Sequence, residues 1–340
     1  MTLNENLLDL DKLQKIYQGF YSIAHSAYGG FSTKYEVLWQ HNNTRLLKFC
    51  CGKRTSAQTL LFIPSLLNKG YILDIMKNYS LIEFLSNNSC NCFFIDWGNP
   101  VLEEAEYTIE NYLEHKVLKI ILFLKAYQSQ NLVLIGHCLG GIIATITASL
   151  NKNFVKGLAL IATPWDFSCY SPHAISHKFI IDYLLENHKL VSSLLIRNFF
   201  LFSMTPEKIY NKFTKFTAET EDFKKELFIK VEKWSLDNMY LSRGIFRECI
   251  YDFIINNNLM QEQKLKNSFI NLENIRDLPC FFISGQKDTT VPYESSKPIL
   301  KYFTDKKVIL SDSGHIGMII GGNAKKELWQ SLFNWIQTLK

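Results

Sequence analysis

The stretch LVLIGHCLGGIIATITASL, Leu132–Leu150, constrains the fold more than any other part of this 340-residue chain. LVLIG is a continuous apolar run and reads as a strand, whereas IIATITASL reads as a buried helix. Between them the chain must turn within Gly136-His137-Cys138-Leu139-Gly140-Gly141. A strand, a sharp glycine-lined turn and a helix make the elbow that presents a nucleophile above a sheet. The glycines are needed because the tip residue has a strained backbone and no side chain fits beside it. The tip is Cys138, a thiol where such elbows usually carry serine. The Leu139 N–H, first in the helix, is a candidate oxyanion donor. A buried structural cysteine in a glycine-rich turn is the plainer alternative.

The rest of the chain offers a matching scaffold. Strands are expected at Thr59–Ile63, Cys90–Ile95, Asn131–Ile135, Val155–Ile161, Cys280–Ser284 and Lys307–Leu310. These runs do not alternate apolar with polar residues, as in strands covered on both faces. Helices are expected at Ile109–Gln128, Gly141–Leu150 and Ala324–Leu339. Strand and helix in alternation imply an α/β-hydrolase fold, a mostly parallel central sheet with helices on both faces. Between Asp166 and Asn271 the sequence is helical and aromatic-rich, with no clear strand. An insertion after a strand's carboxyl end covers the site formed there. Residues 1–165 and 272–340 are therefore expected to form the catalytic core, and residues 166–271 a helical cap or lid.

A nucleophile needs a base and an orienter, and in this fold the order is nucleophile, acid, histidine. FFISGQKDTTVPYESS places Asp288 just after a strand, and VILSDSGHIGMIIGG places His315 on the loop after the next. The other histidines between Cys138 and Gly314 are His173, His177 and His188, all in the expected lid. His315 is thus the best base for the Cys138 proton, with Asp288 fixing its tautomer. Asp312 is a rival orienter. Asp288 is preferred because a strand-end Asp followed by Val-Pro is where this architecture places its acid. His137 is expected to pack under the elbow and not to act as the base. The segment FIPSLLNKGYILD, Phe62–Asp74, follows an early strand, and Ser65 or Leu66 N–H is expected as the second oxyanion donor.

Composition removes other classes. Hydrophobic residues make up 47% and charged ones 20%, as in soluble globular proteins. The net charge of +5 comes from scattered Lys and Arg, so no nucleic-acid partner is expected, although it would favour an anionic acyl-CoA. None of the eight cysteines forms a C-x2-C pair, so no metal is expected and no cofactor is called for. The opening MTLNENLLDLDKLQK lacks an apolar signal core, which points to the cytoplasm and reduced thiols. The greasiest stretch, Leu190–Met204, is broken by Arg197 and is too short for a transmembrane segment.

From Thr59 to Gly322 the chain resembles the polyhydroxyalkanoate synthases. The motifs are P-x-L-x-N-K-x-Y-I-L-D at Pro64–Asp74, I-D-W-G-N-P at Ile95–Pro100, the Cys elbow at 136–140, A-T-P-W-D-F at Ala162–Phe167, K-D-x-x-V-P at 287–292 and S-G-H-I-G at Ser313–Gly317. The Cys elbow and G-H-I-G together are quite specific to that family. The resemblance implies an acyltransferase that polymerises (R)-3-hydroxyacyl-CoA, with 3-hydroxybutyryl-CoA the expected monomer, and releases CoA. CoA enters as part of the substrate, not as a cofactor. Cys138 would carry the growing chain, His315 would be the base, and Asp288 would support it or activate the incoming hydroxyl. With its first strand expected at Thr59, the chain looks like the short catalytic subunit that works with a small second synthase subunit. A homodimer or hetero-oligomer at a polyester granule surface follows from the same resemblance. The segment 166–271 matches the family weakly, best at R-x-x-x-x-D-F, Arg247–Phe253. Two other readings compete: a thioesterase or polyester hydrolase of the same fold, and a degenerate granule-associated binding protein.

Overall fold

The computed structural model describes residues 10–27, 29–49, 58–88, 90–127, 132–192, 195, 206–237, 239–261, 263–265 and 270–339. Its centre is an eight-stranded sheet: β1 Tyr35–His41, β2 Thr44–Phe49, β3 Thr59–Ile63, β4 Asn91–Asp96, β5 Leu132–His137, β6 Val155–Ile161, β7 Cys280–Gly285 and β8 Lys306–Ser311. The strand order is β1-β2-β4-β3-β5-β6-β7-β8. From β4 to β8 all neighbours are parallel, while β2 runs antiparallel to both β1 and β4. This is the α/β-hydrolase architecture expected from the sequence.

The central strands are buried on both sides, which is why their sequences do not alternate. Leu61, Ile63, Leu132 and Leu134 enter one apolar layer, and Leu60, Phe62, Val133 and Ile135 enter the other. The first layer packs under the helices Leu118–Tyr127 and Leu139–Leu150 and continues into Phe246, Ile250 and Phe253 of the insertion. The second is covered by Leu328, Leu332 and Ile336 near the carboxyl end. Each such fully buried side chain contributes roughly 1.5–3 kcal/mol.

Three expectations need correction. The first strand is not at Thr59, because the hairpin β1–β2 precedes it. Its outer strand is half exposed, so no apolar run marks it, and its turn rests on Asn42 at φ 50°. The insertion is not free of strand, since Leu190–Ser192 pairs antiparallel with Tyr240–Ser242. Three residues each are too few to leave a periodic signature. Strand ends also shift by one or two residues, with β4 running to Asp96 and β5 to His137. The expected helix 109–128 is seen from Ile109 to Tyr127 with a wide turn at Leu113–Val117. Gln128, Asn131, Cys50, Cys51 and most of 190–204 lie outside the described residues.

The insertion between β6 and β7 is otherwise helical: Ser171–Ser176, Lys178–Asn187, Pro206–Ala218, Asp222–Leu236 and Arg243–Arg247, the last running on into Glu248–Ile255. The amino-terminal helix Leu10–Ala24 rests on Pro206–Ala218. Gly19 permits the approach, because a Cβ there would lie 2.0 Å from Phe213 Cδ1. Among the described residues no helix is long and apolar enough to cross a membrane.

Candidate active site

β5 ends at His137 and the helix Leu139–Leu150 begins one residue after it, so the whole reversal falls on Cys138. Its backbone lies at φ 53°, ψ −128°. That region is costly for a residue with a Cβ, by about 1–3 kcal/mol, and persists only where the surroundings enforce it. They do so here. Cys138 N donates to Ile161 O at 2.9 Å, and Gly141 N donates to Cys138 O at 2.8 Å. Gly140 lets the helix start against the loop after β3, since a Cβ there would stand 2.1 Å from Ile63 O and 2.4 Å from Pro64 O. The thiol is 6% exposed. Cys138 belongs to the same apolar layer as Leu66, Leu139 and, from the insertion, Cys249.

Asp288 and His315 come together from the ends of neighbouring strands. β7 stops at Gly285 and the next turn carries Asp288; β8 stops at Ser311 and its loop carries His315. His315 Nδ1 lies 2.7 Å from Asp288 Oδ2, with the carboxylate side chain fully buried. Asp288 Oδ1 accepts from Thr290 N at 2.9 Å and Val291 N at 2.8 Å. Both carboxylate oxygens are thus committed, and the orientation of the acid is fixed. Burial pulls the His315 proton affinity down, but interactions with Asp288 and then Cys138 outweigh it and raise the pKa to about 10. Asp312, the rival orienter, points outward to Lys287 at 2.8 Å and is exposed.

His137 sits behind this pair, its ring centroid 5.5 Å from that of His315. Burial, helped by the nearby His315, lowers its pKa to about 3, so it is neutral. Its Nε2 has no hydrogen-bond partner among the described residues. Of the histidines in the insertion, His177 and His188 stand on either side of the helix Lys178–Asn187. His173 falls in the helix Ser171–Ser176.

The loop after β3 lies along the elbow. Ser65 and Leu66 are buried, Ser65 Oγ accepts from Leu67 N at 3.2 Å, and Trp97 Nε1 donates to Pro64 O at 3.0 Å. The Trp of the D-W-G-N-P stretch therefore braces the loop that faces Cys138. Among the described residues, no group of three or more His, Cys, Asp or Glu side chains is arranged to hold a metal ion.

A sequence profile for the alpha/beta hydrolase fold matches residues 58–222. The chain is 26% identical over 343 residues to a poly(3-hydroxyalkanoate) polymerase subunit of Thiocystis violacea, covering 96% of this chain and 95% of that one. It is 26% identical over 325 residues to the corresponding subunit of Haloferax mediterranei, covering 89% of this chain but 63% of that longer protein. Against the Synechocystis subunit the figures are 24% over 356 residues, 98% and 93%. The chain is thus similar over most of its length to polyhydroxyalkanoate polymerase subunits. Solved structures of similar fold include a soluble variant of monoglyceride lipase from Saccharomyces cerevisiae with a substrate analogue, with TM-score 0.59, 17% identity and coverage of 92% and 96%. An esterase from Exiguobacterium antarcticum gives 0.52, 14%, 90% and 99%. At such identities these two speak for the fold alone.

The sequence did not single out Tyr170, Asp166 or Asn257. Asp166 Oδ1 accepts from Ser168 N and Asn257 Nδ2, both at 2.9 Å, and Asn257 Oδ1 accepts from Phe167 N at 3.0 Å. These bonds tie the entry of the insertion to a point near its exit. Asp166 carried a signal, as part of A-T-P-W-D-F; Asn257 carried none.

Proposed function

We propose that this chain is the catalytic subunit of a polyhydroxyalkanoate synthase that polymerises (R)-3-hydroxyacyl-CoA, with 3-hydroxybutyryl-CoA as monomer. The observation that carries the reading is a thiol at the tip of a hydrolase elbow beside a hydrogen-bonded His315–Asp288 pair. Cys138 Sγ attacks the thioester carbonyl. Its proton has already passed to His315 Nε2, which the raised His315 pKa favours; the C–S bond to CoA breaks, and the leaving sulfur takes that proton. The N–H groups of Leu139 and Leu66 hold the oxyanion. The acyl group is then a Cys138 thioester, close in energy to the one it left, so it remains activated. A hydroxyl of the next acyl unit attacks it, an ester C–O bond forms, and His315 carries the hydroxyl proton to sulfur. Asp288 keeps Nδ1 protonated and so leaves Nε2 to do this work.

A serine at the tip would form an oxygen ester and lose the activation. Water is the competing acceptor, and residues 166–271 act as the lid that excludes it. A small second subunit, a polyester granule surface and a cytoplasmic location complete the proposal. No cofactor enters it.

The test is CoA release by purified protein from (R)-3-hydroxybutyryl-CoA, with products sized and Cys138→Ala run beside it. Insoluble polyester with CoA release, lost in the variant, is the expected result. CoA release with only free hydroxy acid would replace the reading with a hydrolase, and full activity in Cys138→Ala would refute the mechanism.

A further inference from the structure

The hydrogen bonds around Asp288 extend beyond the acid. Its Oδ1 accepts from Thr290 N. The carbonyl of that same Thr290 accepts from the Tyr170 hydroxyl at 2.7 Å. Tyr170 belongs to the first turn of the insertion, Ser168–Tyr170. A continuous series of contacts therefore runs from the lid, through the Thr290–Val291 peptide, whose carbonyl accepts from Tyr170 and whose N–H donates to Asp288 Oδ1, to Asp288 and His315. Burial raises the phenol's pKa, with smaller contributions from the charges of Cys169, Cys138 and Asp288. Its ring packs on Phe167 with centroids 5.8 Å apart, and Phe167 packs on Phe253 at 5.6 Å. The Asp166–Asn257 bond pins the root of the lid, Asp166 also accepts from Ser168 N of its first turn, and Tyr170 adds a hold on that turn from the core side.

We infer that Tyr170 is a positioning residue that latches the lid to the acid turn. Its one hydroxyl proton is committed to the Thr290 carbonyl, so it does not protonate substrate. What it does is couple two events. The lid closes over Cys138 when the Asp288 turn stands where His315 needs it, and opening the lid removes a contact from that turn. The latch deepens the polymerase reading and rests on it for one consequence, namely that a closed lid keeps water from the Cys138 thioester.

Tyr170→Phe keeps the ring packing and removes the hydroxyl that bonds the Thr290 carbonyl. The first readout is the rate at which iodoacetamide alkylates Cys138, followed by peptide mapping. Losing one hydrogen bond is typically worth about a fivefold change in an equilibrium, so Cys138 should be alkylated about fivefold faster than in the wild type. Cys280, in the middle of β7 and 0% exposed, is the control for general loosening. An unchanged or slower Cys138 rate overturns the latch, as does a parallel rise at Cys280. The second readout is product partition from (R)-3-hydroxybutyryl-CoA, where the ratio of free hydroxy acid to polymer should rise by a similar factor. A merely less stable protein would lose both products in proportion. If the wild type releases CoA but yields only free hydroxy acid, the polymerase reading falls while the alkylation rates still decide the latch.

Discussion

Replacing Asp288 with Asn tests the electrostatics of the site most directly. The substitution keeps the side chain's shape and removes its charge from a position 2.7 Å from His315 Nδ1. In the wild type the His315 pKa is raised from 6.5 to about 10, against the opposing pull of burial. A rise of that size corresponds to about 5 kcal/mol in favour of the imidazolium, at about 1.4 kcal/mol per pH unit. Asp288 is the larger of the two groups that produce it. Without it the larger of the two opposing contributions is gone, and His315 should titrate well below its wild-type value. The assay is a histidine-selective NMR titration of wild type and Asp288→Asn. Stability gives a second reading with a definite sign. A group whose folded pKa is raised stabilises the fold fully below its unfolded pKa, and that stability fades as pH rises through the folded one. The variant should therefore lose most at pH 6, up to about 5 kcal/mol, and much less above pH 10. If His315 titrates at the same pH in both proteins, or the stability loss does not shrink toward high pH, the assignment of Asp288 as its partner is wrong.

Two substitutions probe the scaffold. Gly140→Ala should gain up to about 1 kcal/mol in helix propensity yet destabilise the protein and abolish turnover. The new Cβ would meet the backbone carbonyls of Ile63 and Pro64, which cannot swing aside; a denaturation midpoint at or above wild type would contradict this. Lys116→Met should cost about 3–5 kcal/mol, because Lys116 and Glu104 form a 2.9 Å pair with both side chains buried and the variant leaves the carboxylate uncompensated. Adding Glu104→Gln should recover part of that loss in chemical denaturation, and a single variant as stable as the wild type would show that the pair is not needed.

Much of this was legible because the central strands are covered on both faces. TLLFI and CFFISG announce themselves by an unbroken apolar run, and the glycines of the elbow mark a close approach that no other residue permits. Asp288 and His315 were readable from their order behind two strands. Other features depended on distant partners. β1 is half exposed at a sheet edge, and its sequence YEVLWQH carries little of the signal of a buried strand. Tyr170 and Thr290 meet across 120 positions of chain, and nothing near either residue announces the other. The same holds for Asn257 and Phe167, 90 positions apart.

The backbone at Cys138 is held by Ile161 O, by the Gly141 N–H and by the carbonyls packed on Gly140, none of which touches the sulfur. The turn is thus a socket whose shape does not depend on the atom plugged into it. Exchanging oxygen for sulfur at the tip needs no new architecture. The harder inventions are the ones around the socket, because a freshly installed thiol still faces water at molar excess. On this view the identity of the acceptor, and with it the difference between digesting a polymer and building one, is written in residues 166–271 rather than in the nucleophile.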